Sequence, residues 1–275
     1  MTELKGEGLP LITVVIPCYN GALYIEGLME QMLGQSYPHL ELLVIDDGST
    51  DESVALWSRY HEVRLLRNPE NRGLSYTRNR GIREASGAYL HFMDVDDRIT
   101  PDFYELMMRA IRESGAELAC CGMVHEWDRA KTQRFVERKV YIDRHDRLLV
   151  TWAGRWGYAV RYLFPTAFLR DRGLAFEEGR LIEDLPFSFA AVCLADSLVT
   201  VPGAEYLYVH APGSIMRSRS RAVHERRRRD RRHAAERVRA IASALGVDRI
   251  PGVTADRWRY RLHKVLRWLG FPPRY

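Results

Sequence analysis

The feature that most limits what this chain can become is the alternation, over its first hundred residues, of short apolar runs with amphipathic ones. Leu11-Ile12-Thr13-Val14-Val15-Ile16 is a β-branched run closed by Pro17, the pattern of a strand buried on both faces. Gly21 to Gln35 then carries Leu23, Ile25, Leu28, Met32 and Leu33 close to helical spacing. Further strands are predicted at Leu42–Ile45, Val63–Leu66 and Ala88–Met93, with a helix over Leu74–Ala85. Ser49 to Glu52 has capping-box spacing before another helix, and Thr100-Pro101-Asp102 reads as a helix start with Thr100 as N-cap. Strands alternating with helices over short links imply right-handed βαβ units and an α/β fold with a mainly parallel sheet.

In such sheets, ligands bind where the carboxyl ends of the strands meet. Each strand here ends in a polar cluster: Tyr19-Asn20, Asp46-Asp47-Gly48-Ser49, Asn71-Arg72-Gly73, and Asp94-Val95-Asp96-Asp97. Carboxylates crowded at a strand end repel one another unless a cation or hydrogen-bond donors offset them. A hard ion such as Mg²⁺ or Mn²⁺ takes one or two carboxylates and completes its shell with phosphate oxygens. A solvated acidic turn is the other reading of Asp94–Asp97, and a simple Asp-Gly turn the other reading of Asp46–Ser49. No G-x-x-x-x-G-K-[ST] or G-x-G-x-x-G is present, which speaks against a P-loop or dinucleotide fold.

Beyond Gly115 the pattern loosens. A strand is expected at Leu118–Val124, a helix at Leu185–Cys193 and an alternating, half-exposed strand at Tyr206–His210. Residues 125–150 mix charged and apolar types. Trp152, Trp156, Tyr158, Tyr162 and Phe164 form an aromatic stretch; the first three either pack in the core or stack on a sugar. No repeat or low-complexity linker separates the halves. Cys18, Cys120, Cys121 and Cys193 lack C-x-x-C spacing and read as small reduced hydrophobes. No apolar run reaches the ~18 residues that span a bilayer, and MTELKGEGLP lacks a signal pattern, so a cytoplasmic protein is expected.

Charge is uneven. The chain carries +5 in total, yet from residue 221 onward sixteen Lys/Arg face five Asp/Glu, which leaves the body acidic at −6. Residues 226–232 read RRRRDRR within a helix bearing Ala234, Val238, Ala242 and Leu245 on one side. Trp258, Leu262, Val265, Leu266 and Leu269 suggest a second, basic amphipathic helix over 254–270. It either packs on the body or lies on an anionic membrane surface as a peripheral contact.

The segments ITVVIPCYN, LLVIDDGSTDES, NRGLSYTRNRGI, ASGAYLHFMDVDDRITPDF, EGRLIEDLPF and PGSIMRS, in this order, resemble the inverting family 2 glycosyltransferases of GT-A fold. The resemblance covers about residues 11 to 218 and implies three parts: a nucleotide-sugar-binding half over 1–115, an acceptor-binding and catalytic-base half over 116–218, and a basic helical extension over 219–275. It implies a nucleotide-sugar donor, commonly a UDP-sugar, held with Mg²⁺ or Mn²⁺, and a glycan or lipid-linked acceptor in envelope or extracellular polysaccharide synthesis. Pro17, Tyr19 and Asn20 would line the nucleotide site. Asp47 would contact the base with Asp46 nearby, and Asn71 and Arg78 would border the pocket. Asp94 would reach the ribose or the ion's outer shell, while Asp96 or Asp97 would ligate the ion. The Glu183-Asp184 pair matches the catalytic-base position, with Asp184 favoured; on the residues alone it reads as a helix N-cap. His210 and Arg217 flank Pro212-Gly213-Ser214, a turn that in the family closes over the diphosphate; a surface histidine is the plain alternative. No nucleic-acid partner is expected. Two other classes compete: a polyanion- or nucleic-acid-binding protein acting through the arginine tail, and a nucleotidyltransferase using similar carboxylates.

Overall fold

The computed structural model describes residues 8–209, 220–251 and 265. In chain order the first half comprises β1 (Ile12–Cys18), α1 (Ala22–Leu33), β2 (Leu40–Asp46), α2 (Ser53–Trp57), β3 (Val63–Arg67), α3 (Leu74–Glu84), β4 (Tyr89–Phe92), β5 (Arg98–Ile99) and α4 (Phe103–Ser114). The second comprises β6 (Leu118–His125), β7 (Val140–Tyr141), α5 (Arg144–Thr151), β8 (Tyr162–Pro165), α6 (Thr166–Asp171), α7 (Asp184–Leu194), β9 (Leu198–Tyr208) and α8 (Arg221–Ala244).

The sheet runs β3-β2-β1-β4-β8-β6-β9-β5, with β7 on the edge of β9. β1 is buried along its whole length, as its unbroken apolar run requires, and pairs in parallel with β2 on one side and β4 on the other. β3 extends the parallel set. β8 lies antiparallel to both β4 and β6, which makes β6 parallel to β4. β9 is parallel to β6, so the carboxyl ends of β1, β2, β3, β4, β6 and β9 all open on one edge of the sheet. Chain order reverses beside β1, between β2 and β4, which is the place such sheets reserve for ligands. α3 lies close over β1 because residue 81 is glycine: a Cβ there would sit 2.2 Å from Val15 Cγ1.

Two predicted caps do not form. α2 starts at Ser53 rather than after Ser49, because the Ser49 hydroxyl accepts the Asn20 N–H (2.9 Å) and Asp51 accepts the Ser53 N–H (3.0 Å). Thr100 does not cap α4; its hydroxyl bridges to β9, accepting the Glu205 N–H and donating to the Gly203 carbonyl, both over 3.3 Å. In each case a neighbouring segment with an unmet amide competes for the hydroxyl. Trp152 and Trp156 are buried, so core packing wins for them, while Tyr158 is half-buried. Of the strand expected at Tyr206–His210, Tyr206–Tyr208 form the end of a longer one, β9, while Val209 lies beyond it and His210 outside the described residues. All four cysteines are free and buried. α8 lays Asp230, Ala234, Val238 and Ala242 inward and packs on α7. Among the described residues no helix is long and apolar enough to cross a membrane.

Candidate active site

At the end of β1, Tyr19 is half exposed and Asn20 turns into the left-handed region (φ 50°), its side-chain oxygen accepting the Thr50 N–H at 2.8 Å. Pro17 is buried within β1 beside Ile45, behind the crevice surface. Asp46 is wholly buried; Oδ2 accepts the Ser49 N–H (3.1 Å) and lies 3.4 Å from Arg67 Nε, while Oδ1 has no partner among the described residues. Asp47 shapes the following loop: Oδ1 accepts from Asn68 Nδ2 (2.7 Å) and the Arg72 N–H (3.0 Å), and Oδ2 accepts the Gly73 N–H (2.7 Å). Asn71 stands exposed on that loop.

The aspartates after β4 divide by environment. Asp97 is buried, and both its oxygens are engaged, Oδ2 by the Tyr206 hydroxyl (2.8 Å) and Oδ1 by the Val209 N–H (2.9 Å). Burial and the charges of Asp94 and Asp96 push its carboxyl well above the usual range. Asp96 is half-buried, and burial followed by the charge of Asp94 raises it to about 6. Among the described residues, Asp96 is the one of the three aspartates with no donor from another residue on its carboxylate. Asp94 accepts from Arg78 Nη2 at 2.7 Å. Just upstream, His91 is buried and needed by the core: Nε2–H donates to the Val160 carbonyl (2.8 Å), so Nδ1 accepts from the Tyr104 hydroxyl (3.0 Å), and burial holds it down at about 4.

Arg78 is the centre of the arrangement. Its guanidinium is buried beside Phe92 and Phe176, at 6.0 and 5.4 Å from the ring centroids, and its Nη1 donates to Glu183 Oε1 at 3.1 Å. Glu183 occupies the N-cap position of α7 and Asp184 its first turn, yet no side chain caps the helix there. The N-cap reading of this pair fails because Arg78 draws the Glu183 side chain away. Burial, and then the charge of Glu183, raise the Asp184 carboxyl well above its usual range. The crevice thus holds two half-buried carboxyls, Asp96 and Asp184, both raised by burial.

The model of glycosyl transferase family 2 matches residues 13–168, more than half of the chain. The chain belongs to that family. It is 28% identical over 225 residues to the glycosyltransferase GlyG of Streptococcus pneumoniae serotype 4, covering 76% of this chain and 73% of that protein. It is also 28% identical over 223 residues to the succinoglycan biosynthesis protein ExoO of Rhizobium meliloti, covering 77% of this chain and 64% of that one. The fold is shared with S. aureus TarS 1–349 in complex with UDP-GlcNAc (TM-score 0.70, 21% identity, 95% of this chain and 73% of that one). It is shared more distantly with the mannosyltransferase PcManGT of Pyrobaculum calidifontis in complex with GDP-Man and Mn²⁺ (TM-score 0.55, 16% identity, 95% and 85%). The GT-A fold expected from the sequence is thereby shown.

The glycosyltransferase has a further layer that sequence reasoning missed. Asp230 of α8 is buried and accepts from Arg180 Nη1 (3.3 Å) and the Leu181 N–H (3.1 Å), while Glu177 pairs with His233 of α8 at 2.6 Å. The basic helix thus straps the loop that leads to Asp184. A signal was present: Asp230 lies four residues before Ala234 and so falls on the apolar stripe, where a lone acid needs a partner. His210, Arg217 and the proposed membrane contact over 254–270, Val265 apart, lie outside the described residues.

Proposed function

We propose that this glycosyltransferase moves a sugar, with inversion, from a UDP-sugar to a hydroxyl of a glycan or lipid-linked acceptor, in the cytoplasm at the inner face of the membrane, in polysaccharide synthesis. The observation that carries the reading is the Arg78 bridge, which places the carboxylates of the β4 end and the Glu183-Asp184 pair around one buried cation. The names of ExoO, a biosynthesis protein, and of TarS with UDP-GlcNAc support the substrate class.

Asp184 takes the proton of the attacking acceptor hydroxyl, a role suited to a carboxyl raised toward working pH. Arg78 positions Asp94 and Glu183. Asp97 holds Tyr206 and Val209, and through them the loop that carries Asp96. Asp46, with one oxygen unpartnered, and Asn20 form the nucleotide end. Asp96 would supply one carboxylate to a divalent ion whose shell a diphosphate would complete, for among the described residues no group of three or more ligating side chains is assembled. Such an ion, when bound, neutralises charge on the leaving diphosphate.

Melting curves with Mn²⁺ and a panel of nucleotide diphosphates and their sugars test the donor, because ligands of the native state raise its transition. UDP or a UDP-sugar is expected to raise the melting temperature; no shift with any member sinks the reading. Asp184→Asn is expected to abolish transfer and keep the UDP shift, and near-normal turnover would remove Asp184 as base.

A further inference from the structure

At the carboxyl ends of β6 and β9, across the aspartate loop from the nucleotide end, four rings meet. His125 and Tyr208 are partners in the β6–β9 register, with ring centroids 5.3 Å apart. Trp127 lies 5.7 Å from His125 and 5.1 Å from Tyr208, and Tyr158 lies 5.4 Å from His125. Because β8 runs antiparallel, Tyr158, which precedes it, arrives at this same edge of the sheet. Trp127 is 40% exposed, unusual for so large an apolar ring.

Two observations aim this cluster at the chemistry. Tyr208 stands two residues beyond Tyr206, on the same face, and Val209 next to it is bonded to Asp97. The charges of Asp97, Asp94, Asp96 and Asp184 all act on the Tyr208 hydroxyl, which burial already raises. Through the Val209 N–H bond to Asp97 and the pairing of Leu207 with Arg98, Tyr208 adjoins the aspartate loop. The second observation is His125: only 4% exposed, with neither ring nitrogen bonded among the described residues. Leaving such a group unsatisfied is costly, so a ligand that bonds it is favoured. Burial, and then Lys131, hold it down at about 4, so at neutral pH it offers one donor and one acceptor.

We propose that Trp127, Tyr158 and Tyr208 form the acceptor subsite, stacking against the C–H face of a pyranose ring, with His125 hydrogen-bonding one of its hydroxyls. This rests on the reading of the chain as a sugar transferase with its donor at the β1–β4 ends. A pyranose matches the surface because it has an apolar face and a polar rim, as the tyrosines and tryptophan do. A prenyl chain would leave both ring nitrogens of His125 without a hydrogen-bond partner. Trp127 meets His125 edge-on, at 84°.

Saturation-transfer NMR on the full chain with UDP and Mn²⁺ tests this. The probes are methyl β-glucopyranoside, methyl β-galactopyranoside and methyl N-acetyl-β-glucosaminide, with decyl phosphate as the lipid-like control. At least one pyranoside is expected to receive saturation at its ring C–H protons. Trp127→Ala should reduce that signal at least fivefold and Trp127→Phe should retain most of it, with the UDP-induced melting shift unchanged in both. Tyr158→Leu gives a second readout should Trp127→Ala not fold. The subsite is overturned if no pyranoside is saturated, if the signal survives both Trp127→Ala and Tyr158→Leu, or if only decyl phosphate responds. Loss of the UDP shift in the unmodified chain would instead overturn the donor reading, so the two failures are separable.

Discussion

Arg78 Nη1 donates to Glu183 Oε1 over 3.1 Å, joining residues 105 positions apart. The same guanidinium holds Asp94, and its side chain is only 4% exposed. Removing one partner from a buried ion pair leaves uncompensated charge, which costs roughly 3–5 kcal/mol. Arg78→Met is expected to lower the urea midpoint accordingly and to abolish transfer. Arg78→Lys should restore little, since an ammonium does not reproduce the two-pronged geometry; a denaturation midpoint near the unmodified value would refute the bridge.

The raised Asp184 carboxyl sets two pH signs. A base must be ionised, so the acid limb of turnover should lie above the usual carboxylate range and vanish with the residual activity of Asp184→Asn. For stability, a carboxyl whose folded pKa is raised contributes most below its unfolded pKa and loses that contribution as pH rises through the folded value. Asp184→Asn should therefore raise the melting temperature more at pH 8 than at pH 5. An equal or reversed difference would contradict the shift.

Gly157 gives α7 its place. A Cβ at 157 would lie 2.1 Å from Leu185 Cα and 2.3 Å from its nitrogen, so the backbone that carries Asp184 would have to move. Gly157→Ala is expected to destabilise by about 1–3 kcal/mol, as overpacking does, and to cut turnover more than the UDP-induced melting shift. Crystal structures of the variant with Leu185 unmoved would count against this.

Asp230→Ala removes the acceptor for Arg180 and the Leu181 amide. Unmade bonds of this kind cost about 1–3 kcal/mol. The loop over residues 177–182 should become more open to limited proteolysis, and turnover should fall while UDP still raises the melting temperature. Unchanged proteolysis would mean that α8 does not hold the loop.

Much of this was legible along the chain. β1 was visible as a β-branched run and β2 as the apolar run Leu42–Ile45, because burial on both faces favours apolar residues at successive positions. The Ser49 and Thr100 caps were misread because a hydroxyl bonds whichever unmet amide lies nearest in space, and those amides belong to residues 20 and 205. Nothing local in the sequence marks Trp127, since its exposure depends on where β6 ends against β9.

The sequence by itself determined the βαβ alternation and the gathering of polar strand ends at one crevice, because periodicity and strand-end chemistry are local. Only the tertiary structure decided how the acids divide. Asp97 is tied down by Tyr206 and Val209, Asp47 by the amides of residues 72 and 73, and Glu183 by Arg78, while among the described residues Asp96 and Asp184 have no such donor. A carboxylate's role depends on which donors reach it first, and those donors come from elements far away in sequence.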